Sequence, residues 1–190
     1  RYDGQRAHPP HPNHTNATVP IAHPTLHTTF TGTVTMTHNG LVGNTVDFND
    51  KIEFTNLSIG EEYYTITSIV DKATGTVLTI KDADGNDVTE IKTTFVVPDT
   101  ATKGNGTTTV NMVVDTSKLL TATTDANGVT TITGKDIVCF ERLYTASGIY
   151  IATHEDVTDT AQTITVVPPT ISTTFVDSVT NEHLTPIGQD

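Results

Sequence analysis

Four polar side chains sit among apolar ones where period-two alternation would turn them inward. Thr28 shares a face with Leu26 and Phe30, Asp50 with Ile52 and Phe54, Glu141 with Ile137 and Cys139, and Gln162 with Ile164 and Val166. A buried carboxylate or amide costs several kcal/mol unless partnered, so four on separate strands are tolerable mainly if they meet. Taken singly, each is more simply read as a strand end that water reaches. Taken together, they predict one buried polar cluster.

Other candidate chemistries are weaker. No Ser lies in a Gly-x-Ser-x-Gly context, which counts against a Ser/His/Asp hydrolase. Asp50 and Glu141 as a sugar-cleaving pair would require an open cleft, and a chain with 6% aromatics and no Trp offers little stacking surface for carbohydrate. Asp82, Asp84, Asn86 and Asp87 suggest calcium, but an EF-hand loop begun at Asp82 would put Thr93 where its bidentate Glu belongs, so a solvated turn is the better reading. His8, His11 and His14 have metal-ligand types, yet Pro9, Pro10 and Pro12 favour an extended chain that keeps the imidazoles apart. No cofactor is implied.

The elements that must position the cluster are short strands. About a fifth of the chain is Thr, a β-branched residue suited to pleated, half-exposed surface. Alternating runs predict strands near 26–37, 51–57, 61–71, 76–81, 89–98, 107–115, 128–133, 136–146, 148–154 and 161–167. Asn39-Gly40, Asp84-Gly85, Asn105-Gly106 and Asn127-Gly128 are predicted hairpin turns, and 117–121 a single helical turn. The pattern is that of an all-β sandwich. Ten basic against 22 acidic residues give a net charge of −12, with the basic ones scattered, which excludes a nucleic-acid or anionic-membrane surface. The single Cys139 rules out an internal disulfide. With 190 residues, one core plus tails is expected.

A repeat organises the chain. Pro24-Thr25-Leu26-His27-Thr28-Thr29-Phe30 returns as Pro169-Thr170-Ile171-Ser172-Thr173-Thr174-Phe175. The expected division is a His/Pro-rich tail or linker over 1–23, one domain over 24–168, and over 169–190 a linker with the first strand of a following repeat, free for strand exchange.

Thr28-Thr29, Asp50-Lys51-Ile52-Glu53-Phe54, Val138-Cys139-Phe140-Glu141 and His154-Glu155-Asp156-Val157-Thr158-Asp159-Thr160-Ala161-Gln162-Thr163 occur in that order. In these segments the sequence resembles the VaFE-repeat domains, the Thr-Gln ester-bond domains of Gram-positive surface adhesins, from about Pro24 to Pro168. The resemblance implies an immunoglobulin-like (CnaB-like) sandwich whose first and last strands are joined by an ester between Thr28 and Gln162, formed with loss of ammonia and assisted by His154, Asp50 and Glu141. His154 is the natural base. One crowded carboxyl should keep its proton and bond the amide oxygen as charge develops there. Cys139 and Lys51 depart from the usual pattern without being expected to touch the reacting atoms. A Lys–Asn isopeptide is disfavoured because the first strand has no Lys.

The resemblance further implies a stalk domain in an extracellular, wall-anchored adhesin. It reacts once on itself and is no turnover enzyme; its partners are adjacent repeats. The alternative is a host-ligand-binding domain using sandwich loops or the His-rich tail, for which the sequence shows no aromatic patch or convergent pocket.

Overall fold

The computed structural model describes residues 20–176 and Ser178, so His8, His11 and His14 lie outside the described residues. The chain forms strands β1 (Thr25–Gly32), β2 (Asn39–Gly40), β3 (Val46–Thr55), β4 (Glu62–Asp71), β5 (Ile80–Lys81), β6 (Asp87–Val88) and β7 (Ile91–Val96). It continues with β8 (Gly106–Val114), β9 (Leu120–Thr124), β10 (Thr130–Gly134), β11 (Asp136–Thr145), β12 (Tyr150–His154) and β13 (Thr163–Val166). One sheet has the order β1-β3-β8-β5-β6. The other runs β2-β13-β11-β4-β7, with β12 also paired to β11, and β9 and β10 form a separate ribbon.

The inward faces of the two sheets meet in one core that includes Phe30, Phe48, Ile52 and Phe54 from the first and Ile69, Ile137, Leu143 and Ile164 from the second. This is an all-β, immunoglobulin-like sandwich. Each large apolar side chain so buried contributes roughly 1.5–3 kcal/mol, which is what holds two Thr-rich sheets face to face.

Several boundaries differ from those the pattern predicts. The first strand stops at Gly32 rather than 37, because the chain turns through Met36 at φ 55°. The second begins at Val46, five residues early, and 76–81 is mostly loop. The expected helical turn is a 3₁₀ turn over Thr116–Leu119, followed by the unforeseen β9. Gly85 and Gly128 take the positive φ of turns. Asn39-Gly40 and Asn105-Gly106 do not: these glycines are needed for close approach. A Cβ on Gly40 would lie 3.1 Å from both Ile164 and Phe48, and one on Gly106 only 2.6 Å from Phe54. β2 runs parallel to β13 and β8 starts at Gly106. The acidic stretch is a turn: Asp82 Oδ1 accepts the N–H groups of Asp84 and Asn86, and Lys81 pairs with Asp87. Beyond β13, Ile171 and Phe175 are 91% and 77% exposed, and residues 167–176 form no strand.

Candidate functional site

The last strand is broken in two along β11. Residues 141–144 of β11 pair with β12, and residues 136–138 with β13. Opposite Cys139 and Phe140 the outer strand leaves the sheet, and the chain between His154 and Thr163 loops out before returning. Gln162 ends that loop, with its backbone carbonyl accepting the Cys139 N–H at 2.9 Å.

On its side away from β3, β1 closes over this break. The Phe30 N–H donates to Ala161 O at 2.9 Å, and the Thr28 N–H donates to His154 Nδ1 at 3.2 Å. β1 thus bridges from its own sheet to the facing one at the gap. Thr28, Asp50, Glu141 and Gln162 are all 0% exposed. The cluster predicted from alternation exists, and none of the four is a wetted strand end. Both carboxyls are enclosed, opposite to what an open sugar-cleaving cleft would need.

The hydrogen bonds fix the state of each group. Because the Thr28 N–H donates to His154 Nδ1, that nitrogen carries a lone pair, and the ring proton sits on Nε2, facing Asp159 Oδ2 at 3.0 Å. The Nδ1 lone pair lies 3.3 Å from Thr28 Oγ1. Hydroxyl, imidazole and carboxylate are spaced as a nucleophile–base–orienter series would need. Burial pushes His154 below its ordinary 6.5, against the opposing charge of Asp159, so the ring is neutral at neutral pH.

Gln162 is held with equal definition. Its Nε2 donates to the carbonyls of Cys139 and His154, both at 2.7 Å, and two carbonyl acceptors can face only the NH₂ end of the amide. Its Oε1 accepts the backbone N–H of Asp156 at 3.2 Å. The expected donor to that oxygen was a protonated carboxyl; the observed one is a main-chain amide. Cys139 also proves closer to the chemistry than expected, since its carbonyl holds the amide nitrogen.

Asp50, Cys139 and Glu141 bring one polar atom each within 4.8 Å of one another. Burial pushes Asp50 up from 3.8 to about 7, although Cys139, Glu141 and Thr28 face it and pull the other way. Glu141 is pushed well above 4.5 by burial and then by the charge of Asp50, so enclosure favours the protonated form of both carboxyls. The Cys139 thiol is driven up by burial, stays protonated, and points its sulfur at Glu141 Oε1 over 3.9 Å. As ionised acceptors, neither oxygen of Asp50 nor Glu141 Oε2 meets a donor with full hydrogen-bond geometry.

Asp159 was missed in the reading from sequence. It belongs to an irregular loop where alternation carries no information, and its turn chemistry was the available signal: Oδ1 accepts the Ala161 N–H at 2.7 Å, leaving Oδ2 for His154.

Comparison with known proteins places the chain in a family and a fold. The sequence model of the T-Q ester bond containing domain matches residues 24–166, and the chain belongs to that family. Two solved structures share the fold, both of a bacterial adhesin from Mobiluncus mulieris containing intramolecular disulfide, isopeptide and ester bond cross-links. One, in space group P1, aligns with a TM-score of 0.57 at 15% identity, covering 78% of this chain and 58% of the adhesin chain. The other, in space group P21, aligns with a TM-score of 0.54 at 15% identity, covering 76% and 57%. The chain therefore spans somewhat over half of those adhesin chains. No curated protein matches it.

Proposed function

We propose that this domain is a structural stalk unit of a bacterial surface adhesin that seals itself with a side-chain ester between Thr28 and Gln162. Thr28 Oγ1 adds to the Gln162 carboxamide carbon while its proton passes to His154 Nδ1. The carbon–nitrogen bond then breaks, and the nitrogen leaves with that proton as ammonia. One C–O bond replaces one C–N bond, and the balance requires no co-reactant. The Asp156 N–H receives the charge that develops on Oε1, a role in which a single preorganised donor is worth about 3 kcal/mol. The carbonyls of Cys139 and His154 accept from the departing nitrogen throughout. Asp50, facing Thr28, and the protonated Glu141 surround the reacting atoms with a dry polar wall.

The observation that carries this reading is the Thr28 hydroxyl 3.3 Å from an imidazole nitrogen whose lone pair is fixed toward it. Folding supplies proximity, for which effective molarities reach on the order of 10⁵ M or more. The reaction consumes its own side chains, so the domain acts once and is no turnover enzyme. Placement at the cell surface is supported by the shared fold with adhesin chains. Adjacent repeats are the natural neighbours: the segment from Thr170 repeats β1 and leaves Ile171 and Phe175 without a core. Intact mass of the folded protein decides the matter. It should fall about 17 Da below the summed composition, the mass of one ammonia, with a proteolytic fragment joining residues 28 and 162. A folded protein of full mass excludes the ester.

A further inference from the structure

His27 neighbours the nucleophile in sequence but points the other way, to the surface. Its ring centroid lies 5.0 Å from that of His154, with the planes tilted by 40°. One ligand atom from each of His27, His154 and Asp159 falls within 4.8 Å of the other two. The ester chemistry described above has no use for His27.

We infer that His27, His154 and Asp159 form a binding site for a borderline divalent cation such as Zn²⁺, and that occupation of this site blocks cross-linking. Two imidazoles and a carboxylate are a ligand set that Zn²⁺ takes with water completing the shell. Ligand bonds of about 2.0–2.1 Å place tetrahedral donors roughly 3.3 Å apart. The His154 Nε2 to Asp159 Oδ2 separation of 3.0 Å already makes one such edge, and these two side chains are only 15% and 21% exposed. Ala161 holds Asp159 through its other oxygen, so that edge is rigid. The exposed His27 closes the site by rotating its side chain, and the solvent side remains open for water and for metal entry.

The antagonism follows from the ring proton. Metal on Nε2 displaces the proton found there, and a neutral imidazole must then carry it on Nδ1. Nδ1–H is then set donor against donor with the Thr28 N–H at 3.2 Å, and toward the Thr28 hydroxyl at 3.3 Å it can only donate. A metallated His154 therefore has no lone pair with which to take the nucleophile's proton. The metal site stands independently of the ester; only the inhibition rests on the proposed function.

The test uses the full chain with His8, His11 and His14 changed to Ala, so that the other histidine-rich stretch does not compete. Zn²⁺ titration by calorimetry should show one site, and adding His27→Ala should weaken it by about tenfold or more through loss of one ligand. Protein purified in denaturant before it has folded is then refolded with a chelator or with saturating Zn²⁺, and ester formation is followed by intact mass. Zn²⁺ should slow the reaction by at least about tenfold with His27 present, and by less than about twofold in His27→Ala, which keeps the whole reacting set. Absence of a site, or an affinity indifferent to His27, overturns the inference. A bound metal that leaves the rate unchanged overturns the antagonism. Refolded protein that never loses ammonia even with chelator refutes the ester, while the titration still decides the metal site.

Discussion

Replacing Thr28 by Val separates the ester from everything else the residue does. The two side chains are nearly isosteric, so the fully buried site keeps its shape, and the Thr28 N–H still reaches His154. What disappears is the hydroxyl. Its contact with His154 is an ordinary neutral hydrogen bond, worth about 1 kcal/mol. The proposed ester would be worth more because it would close a loop over nearly the whole domain, from residue 28 to residue 162. The chain-entropy relation used for disulfides gives about 5 kcal/mol for a loop of that size. At roughly 3 °C per kcal/mol for a domain of this length, Thr28→Val should melt about 15–20 °C below the parent, against about 3 °C for the hydrogen bond alone. Differential scanning calorimetry and intact mass on the same samples provide both numbers. Thr28→Ser is the control: it keeps a nucleophile, loses a methyl group costing about 1 kcal/mol, and should still shed ammonia. A Thr28→Val protein melting within about 3 °C of the parent would refute the covalent account, since no cross-link would then have been lost.

Three further outcomes follow from the same geometry. Asp159→Asn lets an amide NH₂ face His154 Nε2 and favours the wrong tautomer, so ester formation followed by mass should slow about a hundredfold or more while the fold persists. Glu141→Gln keeps a neutral hydrogen-bonding head and should cost no more than about 2 kcal/mol by urea unfolding, whereas Glu141→Ala leaves a cavity and should cost more; equal losses would argue that Glu141 is ionised. Asp50 binds its proton more tightly folded, at about 7 with Thr28 in place, than unfolded, near 3.8, and Thr28→Val removes a hydroxyl that pulls it down, so in that background its contribution to stability is full below 3.8 and lost as pH rises through about 7 and above. Urea midpoints should fall across that interval, and Asp50→Asn should flatten that part of the slope.

Alternation made the inward residues legible because the sandwich core imposes it: Thr28 and Phe30, Asp50 and Ile52, Gln162 and Ile164 fell on the buried face as their spacing requires. The existence of the polar cluster followed from the cost of burying such groups separately. The glycines were harder. Asn39-Gly40 has the composition of a turn, but tertiary packing on Phe48 and Ile164 uses that glycine for space. The loop from Glu155 to Ala161 was the least legible part, since neither period applies there. It supplies the Asp156 N–H at the amide oxygen and the Asp159 carboxylate behind His154. Main-chain groups such as the Cys139 carbonyl leave no trace in residue type at all.

The burial of the cluster is itself informative about why the residues are there. Asp50 and Glu141 sit fully enclosed and face each other, and both oxygens of Asp50 and Oε2 of Glu141 meet no donor of full geometry. A hydrophobic pair of the same volume would stabilise a passive sandwich better, because burying carboxyls costs more than their mutual contacts return. The cost becomes intelligible if the core must run a reaction. Enclosure keeps water away from the activated amide, so that Thr28 rather than a solvent molecule is the acceptor, and it shields the finished ester from hydrolysis by the same neighbours. Enclosure also requires that the bond form from within, by side chains that folding has already brought together. In the proposed reaction the same wall of polar groups that weakens the unreacted fold would permit a bond worth about 5 kcal/mol between its two sheets, and an unreacted variant should be less stable than its apolar core alone would suggest.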